Sequence, residues 1–146
     1  MVRALRLAIR DPQSAWLAMH IGLFIVCARR RLARQSLPQF IATLRHRGFM
    51  RVPRASSERI VGFRSWWLRL PALQKCDTCY VRAMTLYRFL DAPDRDLQLH
   101  IGIEKRESDG ERLRGHAWVS LADAVIEGPA AVLEGRIREI ALPRSS

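Results

Sequence analysis

The sequence lacks the features that would mark a secreted or membrane-spanning protein. It has three cysteines in 146 residues, and an odd number cannot form a complete set of disulfides. Its start has no convincing signal-peptide pattern. The longest apolar run, residues 15–28, is shorter than the roughly 20 residues that a membrane-spanning helix needs. We therefore predict a cytoplasmic protein, and we interpret the apolar run as a buried helix with Cys27 as a small core residue.

Acidic residues are scarce in the first half of the chain. Residues 1–75 contain 15 basic and 2 acidic side chains, whereas residues 76–146 contain 10 basic and 12 acidic ones. A basic half suits a nucleic acid, an anionic membrane surface or an acidic protein, and a solvated arginine-rich surface is the plain alternative. No helix-turn-helix pattern, zinc-finger spacing or RNA-binding aromatic motif accompanies the charge, so we expect no nucleic-acid partner. Membrane contact is also disfavoured, because the apolar run is short.

Internal repeats and low-complexity tracts are absent, and the length fits a single domain, 1–146, with a basic helical part, 1–75, and a Cys/His core, 76–146. Hydrophobic spacing predicts helices at 3–10, 14–34, 37–47 and 56–70, the last with Ile60, Phe63, Trp67 and Leu70 on one face. Alternation predicts strands at 97–103, 113–121, 124–127 and 136–142. These elements predict an α+β fold, in which the N-terminal helices and a cysteine-bearing helix pack on a small antiparallel sheet.

The cysteine-bearing helix is predicted over residues 79–90. Asp77 and Thr78 are good N-cap residues, and Pro93 follows the far end. One stripe of this helix should be buried, namely Cys79, Ala83, Leu86 and Leu90. A helix N-terminus favours the thiolate form of a cysteine, which is the nucleophilic form. Cys79 is therefore the candidate nucleophile.

A cysteine nucleophile needs a base, and His116 is the best-placed histidine. It lies on the second predicted strand, on the same face as Arg114 and Trp118. His100, on the preceding strand, is the reserve candidate. The pattern predicts a Cys/His hydrolase or acyl-transfer site.

Two carboxylates are candidates for the third catalytic member. A two-residue turn at Ala122-Asp123 would put Trp118 opposite Glu127, which makes Glu127 a diagonal neighbour of His116. Asp123 lies at the turn itself, further along the strand from His116. Glu127 is therefore the preferred acid, and Asp123 is the alternative.

Three other readings use the same residues. Cys76-x-x-Cys79 at a helix start is typical of thioredoxin-like redox proteins, but such a motif should follow a strand, and residues 66–75 read as a helix end. A zinc site would need two more ligands at close spacing, so we expect no metal. A non-catalytic binding module for an acidic peptide is the alternative from another functional class.

The combination of motifs resembles a known family. Cys79-x-x-Arg82-Ala83-x-x-Leu86-Tyr87, Leu99-His100-Ile101-Gly102-Ile103 and Gly115-His116-Ala117-Trp118-Val119 occur in this order. Together they resemble the leader peptidases of lasso-peptide biosynthesis, which belong to the transglutaminase-like, papain-like group of Cys-His-Asp enzymes. The resemblance covers roughly residues 70–129.

The resemblance implies a peptidase that removes the leader from a ribosomally made lasso-peptide precursor without a cofactor. A chain this short resembles the protease-only form, whose partners are the leader peptide, a separate small leader-recognition protein and, further, the lasso cyclase. By analogy with papain-like sites, the Cys79 backbone N–H and the Gln74 side chain are the implied oxyanion donors. The family's third member is usually an aspartate, whereas the matching region here offers Glu127 or Asp123.

Overall fold

The computed structural model describes residues 11–45, 53–91, 96–105, 113–122, 124–128 and 137–139. The chain forms two compact units, Met1–Asp91 and Ala92–Ser146. The first is helical and includes the cysteine-bearing helix, and the second contains the strands. The single domain proposed from the sequence stays a prediction, and the helix predicted at 3–10 lies outside the described residues.

Helix α1, Pro12–Leu32, is the longest element of the first unit. The Asp11 side chain caps it by accepting hydrogen bonds from the backbone N–H groups of Gln13 and Ser14, at 3.1 and 3.2 Å. Three arginines occupy its last turn, where positive charge complements the helix dipole. The helix predicted at 14–34 is therefore confirmed, with both ends two residues earlier.

Only one face of α1 is buried, which corrects the prediction of a buried helix. The buried apolar side chains of this helix are Leu17, Ala18, Ile21, Ile25 and Ala28. Trp16, Met19 and Leu23 are exposed, and Cys27 is exposed as well, so its assignment to the core is wrong. The physical reason is the helical period: a surface helix turns one stripe inward and the opposite stripe outward, whatever residues that stripe carries.

Helices α2, Leu37–Arg45, and α3, Ser57–Leu68, match two further predictions, although residues 46–47 lie outside the described ranges. Ile60 and Phe63 are buried as expected. Leu70 is 37% exposed, so the prediction that it shares a face with Ile60 and Phe63 is wrong. The reason is that α3 ends at Leu68 and a 3-10 helix, Pro71–Cys76, follows, which takes Leu70 off the helical stripe.

Helix α4, Cys79–Phe89, confirms the cysteine-bearing helix, and Leu90 is its C-cap. Ala83, Leu86 and Leu90 are buried, whereas Cys79 is only partly buried. The most deeply buried side chains of the unit come from α1, α3 and α4 and include Ile21, Ile25, Ile60, Met84 and Leu86. Burial of these apolar side chains packs α4 against α1 and α3.

The second unit contains four antiparallel strands in the order β3-β2-β1-β4. Their bounds are Leu97–Lys105 for β1, Leu113–Leu121 for β2, Ala124–Glu127 for β3 and Arg138–Glu139 for β4. All four predicted strands are therefore present, the fourth over two residues only. Helices followed by an antiparallel sheet confirm the α+β fold class.

The β1–β2 register determines which side chains are neighbours on the sheet. His100 lies opposite Trp118, and Gly102 lies opposite His116. Leu99, Ile101, Ala117 and Val119 are buried on the other face of these two strands. The alternation predicted for both strands is thus observed.

A bulge changes the β2–β3 register and overturns one prediction. Leu121 pairs with Ala124, as a two-residue turn requires, and Ala122 has a positive φ of 46°. Beyond Ser120 the register shifts, so that Glu127 lies opposite Val119. The predicted pairing of Trp118 with Glu127 is therefore wrong. The physical reason is the extra β3 residue that a bulge inserts against its partner strand.

Candidate active site

Cys79 is the first residue of α4, and its turn is built from local hydrogen bonds. The Thr78 hydroxyl accepts a hydrogen bond from the Val81 backbone N–H at 3.3 Å. On the preceding side, the backbone N–H of Asp77 donates to the Gln74 carbonyl at 3.0 Å, and that of Thr78 donates to the Cys76 carbonyl at 2.9 Å. A 3-10 turn therefore runs directly into a capped helix start, which defines the position of the Cys79 side chain.

An ion pair between Asp77 and Arg82 links the two sides of this turn. The Arg82 guanidinium donates to both carboxylate oxygens of Asp77, at 2.5 and 2.7 Å. This hydrogen bond is the main reason that the pKa of Asp77 is lowered, against the opposing effect of burial. Arg64, whose side chain is buried, donates to the Arg82 backbone carbonyl at 3.1 Å. The arginine of the Cys-x-x-Arg motif thus ties the residue before the N-cap to the second turn of α4.

In the sequence Arg82 stands out only as part of the family resemblance, and its structural role becomes apparent from the ion pair. An aspartate just before a predicted N-cap and an arginine five residues later would have indicated such a pair, because both flank the first helical turn. Arg64 carries no comparable signal in the sequence, since a buried arginine is uncommon on an otherwise apolar face.

Tyr80 is a neighbour of the candidate nucleophile and responds to its charge. The pKa of Tyr80 is raised, first by partial burial and second by the negative charge of an ionised Cys79. Both effects disfavour the tyrosinate, because a second negative charge would have to form in a partly desolvated place. The phenol therefore remains protonated at neutral pH and is a local probe of the Cys79 charge.

Cys76 has a different setting from Cys79. It is 2% exposed, and its sulfur accepts a hydrogen bond from Arg29 Nη1 at 4.0 Å. Both cysteines are free thiols. In a thioredoxin-like motif Cys76 would be the attacking residue and should be accessible, and a strand rather than a 3-10 helix should precede it. These observations disfavour the redox alternative.

His116 lies in the middle of β2 and is partly exposed. The residue directly opposite on β1 is Gly102, so no side chain of that strand stands directly across from the imidazole. By strand alternation, His116 shares its face with Trp118 and Ser120. Its position in the sheet is therefore defined by backbone pairing.

His100 belongs to the same face and is held by side chains of β2. Its Nε2 lies 2.7 Å from the Ser120 hydroxyl, and its ring stacks on Trp118 with 5.3 Å between ring centroids and an interplanar angle of 8°. Ser120 and Trp118 are both buried. His100, the reserve base, is thus held by contacts within the sheet. The stacked His100–Trp118 pair lies on the same face as His116, and Trp118 is two residues from it along β2. The sequence alone does not indicate this pair, because the pair depends on the β1–β2 register.

The remaining candidate residues are Glu127, Asp123 and Gln74. Glu127 is partly buried at the end of β3, and the next residue, Gly128, lies so close to Trp118 that a Cβ there would be 3.1 Å from the tryptophan Cβ. Asp123 lies outside the described residues. Gln74 is exposed in the 3-10 helix before Cys79. The catalytic roles of Glu127, Asp123 and Gln74 stay predictions.

The candidate residues divide between the two units. Cys79 and Gln74 belong to the first unit, whereas His116 and Glu127 belong to the second. The pairing of the Cys79 thiol with the His116 imidazole therefore stays a prediction. Within the described ranges, no group of three or more His, Cys, Asp or Glu side chains is arranged to hold a metal ion. Nor is any helix in those ranges long and apolar enough to cross a membrane.

Comparison with known proteins gives one match. Neither the curated proteins nor the solved structures include one that matches the chain. A family model described as the transglutaminase-like superfamily matches residues 22–140, which include Cys79, His116 and Glu127. Members of this superfamily are typically cysteine hydrolases or transferases. Because the match extends over most of the sequence, from α1 to the last strand, the chain belongs to the transglutaminase-like superfamily.

Proposed function

We propose that this protein is a cysteine peptidase that removes the leader from a ribosomally made lasso-peptide precursor. The observation that carries the proposal is the position of Cys79 at the capped start of α4, in a chain of the transglutaminase-like superfamily. A thiolate at a helix N-terminus is a suitable nucleophile for an amide carbonyl. The narrower choice of a lasso-peptide precursor comes from the motifs around Cys79, His100 and His116.

The proposed reaction has two steps. The Cys79 thiolate attacks the carbonyl carbon of the leader–core peptide bond and forms a tetrahedral oxyanion, which collapses as His116 donates a proton to the departing core amine. The leader is then held as a thioester on Cys79. In the second step His116 takes a proton from water, the hydroxide attacks the thioester, and the leader leaves with a free carboxylate while the thiol is restored.

Further groups orient His116, stabilise the oxyanion and hold the turn before Cys79 in this scheme. Glu127, or alternatively Asp123, accepts a hydrogen bond from the imidazole and keeps the catalytic tautomer of His116. The Cys79 backbone N–H and the Gln74 side chain stabilise the oxyanion. The Asp77–Arg82 ion pair does not touch the substrate, and it acts by holding the turn that positions Cys79.

The proposed partners follow from the same assignment. In the protease-only form, a separate small protein binds the leader and delivers it, and the lasso cyclase uses the new N-terminus of the core. The strong excess of basic residues in 1–75 is suited to an acidic leader or recognition protein. A core amine released beside the cyclase would be joined to a side-chain carboxylate before it could diffuse away.

The deciding experiment is cleavage of a precursor, followed by mass spectrometry. The purified chain, the precursor and the small recognition protein are incubated together, and the expected products are the intact leader with a free carboxylate and the intact core with a free amine. Cys79→Ala should give neither product while retaining its circular dichroism spectrum. A Cys79→Ala variant that still cuts would remove the assignment.

Two matched cysteine variants test the alternatives. Cys76→Ser and Cys27→Ser should retain most cleavage, because Cys76 is buried against Arg29 and Cys27 is exposed elsewhere on α1. If Cys76→Ser abolished activity and Cys79→Ser did not, the redox reading would replace the peptidase. If the precursor bound equally well to a variant lacking both Cys79 and His116, and no enzyme concentration produced cleavage, the chain would be a binding module instead.

A further inference from the structure

The outward face of α1 carries three large apolar side chains that the core does not use. Trp16, Met19 and Leu23 are 51%, 49% and 61% exposed. Their spacing of three and four residues places them on one side of the helix, and we call this set the outer stripe. Trp and Met are enriched in protein interfaces, and a cluster of large apolar residues in water is unfavourable unless a partner covers it.

A groove lies at the N-terminal end of the outer stripe. It has a volume of about 540 Å³, and its walls include Trp16, Leu17, Pro53, Arg54 and Arg59. Arg59 forms an ion pair with Asp11 at 3.5 Å and also contacts the Ser14 hydroxyl. The side chains of Arg54 and Arg59 thus line this groove together with the apolar side chains of Trp16, Leu17 and Pro53.

A second group of cations lies at the other end of the stripe. Arg29, Arg30 and Arg31 are exposed in the last turn of α1, and we call them the arginine turn. Arg30 is in line with the outer stripe, whereas Arg29 donates to the Cys76 sulfur. At 1.5 Å per residue, Arg30 lies about 21 Å along the helix from Trp16. Positive charge therefore brackets the outer stripe at both ends, at a separation of roughly four helical turns.

We propose that the groove, the outer stripe and the arginine turn together bind an acidic amphipathic protein helix. One large apolar side chain of that helix enters the Trp16 groove, its apolar face lies on Met19 and Leu23, and carboxylates about 20 Å apart pair with the arginines at the two ends. This docking concerns partner binding and does not depend on the cleavage reaction.

Two observations favour a protein helix over an anionic bilayer. A concave groove accepts an inserted side chain of a protein partner. A flat lipid surface would leave the groove unfilled. Residues 12–28 contain no lysine or arginine, whereas helices that lie on membranes carry such residues along the flanks of their apolar face. Positive charge confined to the ends matches a partner whose negative charges are also confined to its ends.

The test uses a synthetic helical peptide of about 20 residues with the full-length chain. The acidic probe has a Leu/Trp stripe and a pair of glutamates at each end, and the matched neutral probe has glutamine in place of every glutamate. Binding is measured by anisotropy of the labelled peptides. The acidic probe should bind at least tenfold more tightly than the neutral one, and its affinity should fall as salt is raised.

Variants of the chain locate the binding surface. Leu23→Glu should weaken the acidic probe about tenfold or more, and Arg30→Gln should weaken it severalfold. Ala42→Glu, an exposed site on α2, and Arg69→Gln, an exposed arginine outside this surface, are the matched controls and should bind normally. Circular dichroism establishes that each variant is folded, which is expected because all four sites are exposed.

Several results would overturn the docking proposal. These are equal binding of the two probes, no binding of the acidic probe at about 1 mM, or normal binding by Leu23→Glu. Sedimentation with vesicles containing about 30% phosphatidylglycerol, lost in Leu23→Glu, without peptide binding would assign the surface to a membrane instead. Cys79→Ala should bind the acidic probe normally, so failure of the peptidase assignment and failure of the docking surface are separable.

Discussion

The two units of this protein position their candidate catalytic residues by different physical means. In the helical unit, Cys79 is placed by a capped helix start, and its helix is anchored by buried side chains such as Met84 and Leu86. In the sheet unit, His116 and Glu127 are placed by strand register. A helix tolerates small changes in its neighbours, whereas a bulge of one residue changes which side chains are opposite each other. The position of Cys79 can therefore be predicted from local sequence, whereas that of Glu127 cannot.

The largest expected effect comes from removing the base in the sheet unit. His116→Ala should lower the rate of leader cleavage by about 10³-fold or more, because both the leaving amine and the attacking water need a proton transfer. The measurement is the initial rate of core release by mass spectrometry. The result would show that the sheet unit contributes chemistry and not only support.

His100→Gln is the matched control for the base. His100 contacts the Ser120 hydroxyl and stacks on Trp118, and glutamine preserves a hydrogen-bonding group while removing the ring. We expect this variant to retain cleavage within about tenfold of the wild-type rate. If His100→Gln were inactive and His116→Ala active, the base would be His100, and the stacked His100–Trp118 pair would be the site itself.

The next largest effect concerns the core of the helical unit. Met84 is fully buried in α4, and Met84→Ala should lower the free energy of unfolding by about 2–5 kcal/mol. Leu23→Ala, at a site 61% exposed on α1, should change it by less than about 0.5 kcal/mol. Urea unfolding followed by circular dichroism at the helical band measures both. Equal losses would mean that the outer face of α1 is part of the core.

The helices of the first unit could be predicted because their signals are local. Asp11 and Thr78 are capping residues that precede apolar residues of helical spacing. Pro93 follows the end of the cysteine-bearing helix. The sheet strands were recognisable for the same reason, since alternation needs only the strand itself. For these elements, the tertiary contacts agree with the local preferences.

The errors arose where one residue's environment depends on distant parts of the chain. Cys27 is apolar and lies within an apolar run, but which side of α1 faces the core is decided by α3 and α4. Leu70 left its predicted stripe because α3 ended two residues early. Glu127 pairs with Val119 and not with Trp118 because of a β-bulge, which the turn residues do not indicate. The candidate base and nucleophile were named from the sequence, but the Asp77–Arg82 pair and the His100–Trp118 stack required the structure.

A smaller effect is expected from the acid that orients His116. Glu127→Ala should slow cleavage by about 10–100-fold without abolishing it, because the imidazole can still exchange protons when its tautomer is not held. Asp123→Ala is the matched variant and should be nearly normal. Rates of core release for the two variants are compared under single-turnover conditions. An unchanged rate in Glu127→Ala together with a collapse in Asp123→Ala would transfer the role and would fit the family's usual aspartate.

The Asp77–Arg82 pair should contribute modestly to stability. The pKa of Asp77 is lowered in the folded protein, mainly by the Arg82 hydrogen bond, so its contribution is present above the ordinary value of 3.8 and is lost as the pH falls through the folded pKa. Both side chains are partly exposed, and the contribution should stay below about 1 kcal/mol. Asp77→Asn should therefore be slightly less stable than wild type at pH about 7, and the difference in urea unfolding should vanish in acid. A difference that is constant with pH would assign the loss to packing.

The smallest expected effect is a change in the titration of Tyr80, and it tests the charge at the nucleophile without any substrate. The pKa of Tyr80 is raised by burial first and by an ionised Cys79 second. Cys79→Ala removes the second cause only, so the pKa of Tyr80 should fall but remain above that of a free tyrosine.

The chain has two tyrosines, and a Tyr87→Phe background leaves the absorbance change of Tyr80 alone. Cys76→Ser should leave the titration unchanged, because the buried Cys76 thiol is not among the causes of the shift. An unmoved pKa of Tyr80 in Cys79→Ala would mean that the Cys79 charge does not act on this ring, and burial alone would then account for the raised pKa.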